Sequence, residues 1–156
     1  MADALRLSAS RAVPVTIDEA FPRVLTVPLP DLFSRRYGPI PPVRGTVGPA
    51  TWDAVGLTRT VRLADGGQMA EELTVVDPPR RFAYRLTGFT GPMRPLAASI
   101  DGEWAFDRAG TGTRITWSWV VHPASSVASY ALPVFGRLWR GYARQALEEV
   151  ERLLLA

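Results

Sequence analysis

Arg59 and Glu71 stand on either side of Asp65-Gly66-Gly67, in a stretch where apolar side chains recur at every second position. Val55, Leu57, Val61 and Leu63 share one parity before the turn, and Met69, Leu73 and Val75 share one parity after it. Successive side chains of a strand point to opposite faces, so the pattern predicts a β-hairpin with one buried side. Arg59 and Glu71 fall on that side, and counting outward from the Gly-Gly turn brings them opposite each other. A buried charge is costly unless it is paired. Two readings follow. The pair is a structural salt bridge, or it is the polar floor of a cavity in which Arg59 orients a ligand carboxylate, phenolate or enolate while Glu71 fixes the guanidinium.

Other groups with chemical potential are few. Tyr84 and Tyr142 can donate to a ligand oxygen or, like most buried tyrosines, to a backbone carbonyl. His122 is the only histidine and precedes Pro123, so it reads as a turn residue near a rim, with acid–base work at a cavity mouth as the alternative. With one His and no Cys, neither a metal site nor a disulfide is expected, and no cofactor is. There is no Gly-rich phosphate loop, no Gly-x-Ser-x-Gly elbow and no paired-His motif, which argues against nucleotide hydrolysis, serine hydrolysis and zinc proteolysis.

The 156 residues suit one domain, expected to span 1–156, with 47% hydrophobic and 21% charged residues giving ample core. All 18 basic residues are Arg, and both Lys and Asn are missing. Since both are encoded by AT-rich codons, a GC-rich bacterial genome explains this better than selection for an anionic partner. The arginines are scattered rather than clustered, so nucleic acid is not expected as a partner. Arg6 and Arg11 precede no signal-peptide-like apolar run, and no stretch approaches the ~20 apolar residues of a membrane span. A cytoplasmic protein without stable membrane insertion is expected; a homodimer stays open.

The elements that must position these groups can be read in order. A strand is expected over Ala12–Asp18, where Val13, Val15 and Ile17 alternate, then a short helix over Glu19–Leu25 capped by Asp18. A second short helix is expected from Pro30 or Asp31 to Tyr37. Residues 38–50 are rich in Gly and Pro, a loop with a brief strand near Val43–Val47. Strands follow over Trp52–Leu63, Gln68–Val76, Arg81–Phe89, Leu96–Phe106 and Thr113–His122, joined by short turns that make neighbours antiparallel. Phe135, Trp139, Tyr142, Ala146, Val150 and Leu153 then recur at three- and four-residue spacing, which predicts a helix over Ser126–Leu155 with Pro133 kinking it or starting its main segment.

Extending the parity gives the inward face. The strands would contribute Arg59, Glu71, Leu73, Phe82, Tyr84, Leu86, Ile100, Trp104, Phe106, Ile115, Trp117 and Trp119; the helix would contribute Phe135, Trp139 and Tyr142. Aromatic rings dominate, each able to bury roughly 150–250 Å². They fill a solid core, or they line a cavity that Ala98 and Gly102 widen. The segments Thr90–Pro95 and 38–50 would form its rim.

Gly56-x-x-Arg59, Asp65-Gly66, Glu71, Asp77-Pro78-Pro79-Arg80-Arg81-Phe82-x-Tyr84 and Gly112-Thr113-Arg114-Ile115-x-Trp117, in this order of elements, resemble the START/Bet v 1-like (SRPBCC) superfamily. Within it the chain is similar to the polyketide cyclase/dehydrase and lipid-transport group, from about Ala12 to Leu155. The resemblance implies an α+β helix-grip fold: a curved antiparallel sheet of six or seven strands wrapped around a long C-terminal helix, with two short helices after the first strand. It also implies an internal cavity for a small hydrophobic ligand such as a lipid or polyketide, or else a cyclase, aromatase or dehydratase using the same cavity. Candidate ligand-binding residues are Arg59, Glu71, Tyr84, Trp104, Phe106, Trp117, Trp119, Phe135, Trp139 and Tyr142; no catalytic residue is assigned.

Overall fold

The computed structural model describes residues 3–156. The chain forms β1 (Leu5–Val13), α1 (Ile17–Thr26), α2 (Leu29–Leu32), β2 (Val43–Val47), β3 (Thr58–Leu63), β4 (Gln68–Asp77) and β5 (Arg81–Thr87). After a 3-10 turn (Gly91–Met93) come β6 (Ala97–Ala109), β7 (Gly112–Pro123) and α3 (Ser126–Leu155). The strands make one seven-stranded sheet in the order β1-β7-β6-β5-β4-β3-β2. Every pairing is antiparallel, and α3 packs against β1 and β7 across the sheet's concave side. This is the helix-grip fold.

The first strand begins earlier than its apolar alternation suggests. Leu5–Val13 pairs residue for residue with β7, from Leu5 opposite Val121 to Val13 opposite Thr113. Val13, Val15 and Ile17 are all buried, but they belong to a strand end, a turn and a helix start respectively. Pro14 supplies no N–H for the ladder, so pairing stops there. Thr113 closes the turn, its hydroxyl donating to the Val15 carbonyl at 2.7 Å. Helix α1 accordingly starts from Thr16, whose carbonyl accepts from the Ala20 amide at 2.8 Å, and not from Asp18.

Three other boundaries differ from expectation. Helix α2 is a single turn that ends at Leu32 instead of continuing to Tyr37. Strand β3 starts at Thr58, because the chain leaves the ladder through Gly56 at φ +93°, a region that glycine tolerates. Val55 is therefore exposed, not inward. A bulge between Leu73 and Val75 shifts the parity of β4, so Val76, opposite Phe82, packs on the core in place of Val75. A similar irregularity between Ala97 and Ser99 buries Ala97 and turns Ala98 outward.

Helix α3 runs unbroken through Pro133, and Ser125 caps it by accepting from the Ala128 amide at 3.1 Å. Its far end is held by Arg23, which donates to the Leu153 and Leu154 carbonyls at 2.5 and 2.9 Å, and by the Arg11–Glu151 ion pair at 3.0 Å. Its first turns instead leave Val127, Tyr130 and Val134 exposed.

Candidate functional site

A cavity of about 500 Å³ lies between the concave sheet and α3. Strands β3 to β7 supply one wall, and Phe135, Leu138, Trp139 and Tyr142 of α3 supply the other. Pro39, Ile40 and Pro41 from one loop, and Pro92 and Met93 from another, edge it where the sequence placed a rim. Its surface is overwhelmingly apolar, and among the described residues that line it Arg59 and Glu71 are the only charged ones.

The hairpin places this pair as its parity requires. Arg59 and Glu71 are direct partners in the β3–β4 register, and Arg59 Nε donates to Glu71 Oε1 at 2.7 Å. Their side chains are 12% and 6% exposed. Burial pushes the Glu71 carboxyl above the usual carboxylate range, and the charge and hydrogen bond of Arg59 offset this only in part. A face of the guanidinium lies over the Trp52 ring, Cζ 4.0 Å from its centre, a cation–π contact. Gly48 permits that clasp: a Cβ there would come within 2.6 Å of Arg59 Cβ. The sequence reading missed Trp52, placing it at the start of a strand, whereas it lies in the connection between β2 and β3, outside the ladder.

A second polar cluster involves Tyr84. Gly102 stands opposite Tyr84 in the β5–β6 ladder and opposite Trp119 in the β6–β7 ladder. The Tyr84 ring occupies the space where a Cβ of residue 102 would project. Gly102 thus admits a ring instead of widening the cavity. Across it, the Tyr84 hydroxyl accepts hydrogen bonds from Trp117 Nε1 at 2.8 Å and from Trp119 Nε1 at 2.9 Å. Burial, then the nearby Glu71 charge, raise the ionisation of the phenol far above its ordinary value. Tyr142 is likewise raised, by burial and then by Tyr84, and its hydroxyl reaches only the Pro41 carbonyl at 3.5 Å.

The rings form a connected set. Trp117 stacks on Trp104 with centroids 5.2 Å apart and meets Trp139 at 4.9 Å, while Trp119 stacks on Phe135 at 6.3 Å. Phe33, another residue not singled out from the sequence, stacks on Tyr142 at 5.6 Å. Every candidate residue except Phe106 lines the cavity. Phe106 points inward but packs edge-on against Phe21 of α1, 5.3 Å between centroids, and belongs to the solid part of the core. His122 stands at the end of β7 as expected, but as a paired strand residue and not a turn residue, and it bonds to Asp101 at 3.0 Å on the outer face, away from the cavity.

A curved sheet gripping one long helix around a ring-lined hollow defines the START/Bet v 1-like class. The chain belongs to the family described as Polyketide cyclase / dehydrase and lipid transport, whose model matches residues 4–154. Solved structures share the fold. Major latex-like protein 151 from Panax ginseng aligns at TM-score 0.71 and 13% identity, covering 99% of each chain. Protein Ms6760 from Mycobacterium smegmatis aligns at 0.65 and 20% identity, over 96% of this chain and 90% of that one. Ara h 8.0201 aligns at 0.69 and 12% identity, over 97% and 98%. No curated protein matches the chain. Among the described residues, no helix is long and apolar enough to cross a membrane.

Proposed function

We propose that the protein binds one small apolar or aromatic molecule, a lipid, a polyketide or a related metabolite, inside the cavity. The observation that carries this reading is the cavity itself: about 500 Å³ of apolar-walled space around one charged pair. Binding pockets of 300–1,000 Å³ with mostly apolar walls and a few convergent polar groups are the usual form of a small-molecule site. Burial drives association at roughly 25 cal/mol per Å² of apolar surface, less the cost of ordering the ligand. In this reading Trp104, Trp117, Trp119, Phe135 and Trp139 supply contact area, and Arg59, Glu71, Tyr84 and Tyr142 set orientation. Native mass spectrometry of the purified protein tests it. A retained or added apolar ligand at one-to-one stoichiometry is expected, and indifference to every apolar probe overturns it.

One observation favours a second reading, an enzyme of the cyclase, aromatase or dehydratase kind. Glu71, its carboxyl raised by burial, bonds to Arg59 at 2.7 Å, which sets a proton-carrying group next to an enolate-stabilising cation. Turnover of a ketide analogue, lost in a folded Arg59 variant, would establish it.

A further inference from the structure

We propose that Tyr84 is the hydrogen-bond donor through which the cavity recognises a neutral carbonyl oxygen on its ligand. The proposal rests on the ligand-binding reading and specifies the class of ligand: ketones and quinone-like ring systems over plain hydrocarbons. It follows from counting valences. A phenol oxygen has one proton to give and two lone pairs to receive with, whereas an indole N–H only gives. Trp117 and Trp119 each donate to the Tyr84 oxygen, which fills both lone pairs. The proton of Tyr84 must therefore leave in a third direction. Among the described residues it meets no hydrogen-bond acceptor, although the residue is almost fully buried and lines the cavity. Buried donors are nearly always satisfied, so an acceptor arriving with the ligand completes the site.

The surroundings select the kind of acceptor. A hydroxyl with both lone pairs engaged cannot receive from a ligand alcohol or amine, so the partner must accept. The charges of Glu71 and Arg59 both bear on Tyr84 with opposite sign, and since they are paired with each other at 2.7 Å they offer no free cation to hold an anion at this hydroxyl, so a neutral oxygen is the better match. The hydroxyl is also held in place: Gly102 admits the ring, and two indoles fix the oxygen.

The test uses two rigid probes that differ in one group, 9-fluorenone and fluorene, titrated by quenching of tryptophan fluorescence. Wild-type protein is expected to prefer fluorenone by about tenfold, the scale of one net hydrogen bond to a buried donor. Tyr84→Phe should abolish that preference, read as the ratio of the variant's two affinities. Because this variant strips two indoles of their acceptor, infrared spectroscopy of fluorenone bound to the wild type gives an independent measure. Its carbonyl stretch should fall below the value in alkane solution. An unshifted stretch, equal wild-type affinities, or a preference that survives in Tyr84→Phe overturns the assignment of Tyr84 alone. Failure of both probes to bind the wild type overturns the ligand-binding reading together with it.

Discussion

The ring of Tyr84 fills the place that a side chain at Gly102 would take, so the missing Cβ on β6 is what lets Trp119 of β7 donate to Tyr84 of β5 over it. Gly102→Ala should push the ring off β6 and break its contacts with Trp117 and Trp119. Overpacking of this sort costs about 1–3 kcal/mol. A lowered urea midpoint with an unchanged m-value, together with altered tryptophan emission, would verify it.

Arg59→Met leaves Glu71 buried without its counter-charge. The expected loss is about 3 kcal/mol at neutral pH, the low end for a buried pair because the Arg59 side chain is still 12% exposed. The loss should shrink on acidification, since a protonated Glu71 no longer needs a cation. Denaturation at neutral and at mildly acidic pH measures both effects; a pH-independent loss would show that packing against Trp52, rather than charge, is what Arg59 contributes.

Glu71 also sets a slope in the wild type. Its folded value is raised, so between the ordinary carboxyl range and that raised value the folded state holds more proton than the unfolded one. Its contribution is most favourable below the ordinary range and declines as pH rises through the folded value. Glu71→Gln retains an acceptor for Arg59 Nε but does not titrate. The variant should therefore gain on the wild type as pH increases, a trend readable from paired urea midpoints.

Val134 lines the cavity and is 60% exposed, which places it at the mouth. Val134→Trp should change stability by no more than about 0.5 kcal/mol, as exposed positions generally do. Its effect should fall on ligand association, slowed several-fold in stopped-flow mixing, with the unfolding midpoint as control.

The Arg59–Glu71 relationship was legible in the sequence because a tight Gly-Gly turn fixes register and strand parity does the rest. The same arithmetic failed wherever the backbone broke period. The bulge after Leu73 moved Val75 off the buried face, the irregularity after Ala97 turned Ala98 out, and Val13, Val15 and Ile17 kept a two-residue rhythm across three different conformations. The helix-gripped ring set was readable from periodicity because α3 is long and regular. Trp52 and Phe33 were not, since each reaches its partner from a segment without a period: Trp52 sits between β2 and β3, and Phe33 ends a one-turn helix. Phe106 shows the converse limit, for parity gives a side but not a depth.

Helix α3 is tethered unevenly. Beyond Trp139 it is tied down by Arg23 and the Arg11–Glu151 pair, whereas before it Pro133 removes a rung of the hydrogen-bond ladder and Val127, Tyr130 and Val134 have little to hold them. Breathing of the structure should accordingly begin at the amino-terminal turns, swinging like a door hung from its carboxyl-terminal end and uncovering the cavity where Val134 stands. Amide exchange should run faster ahead of Pro133 than behind it, and a trapped guest should slow the former selectively.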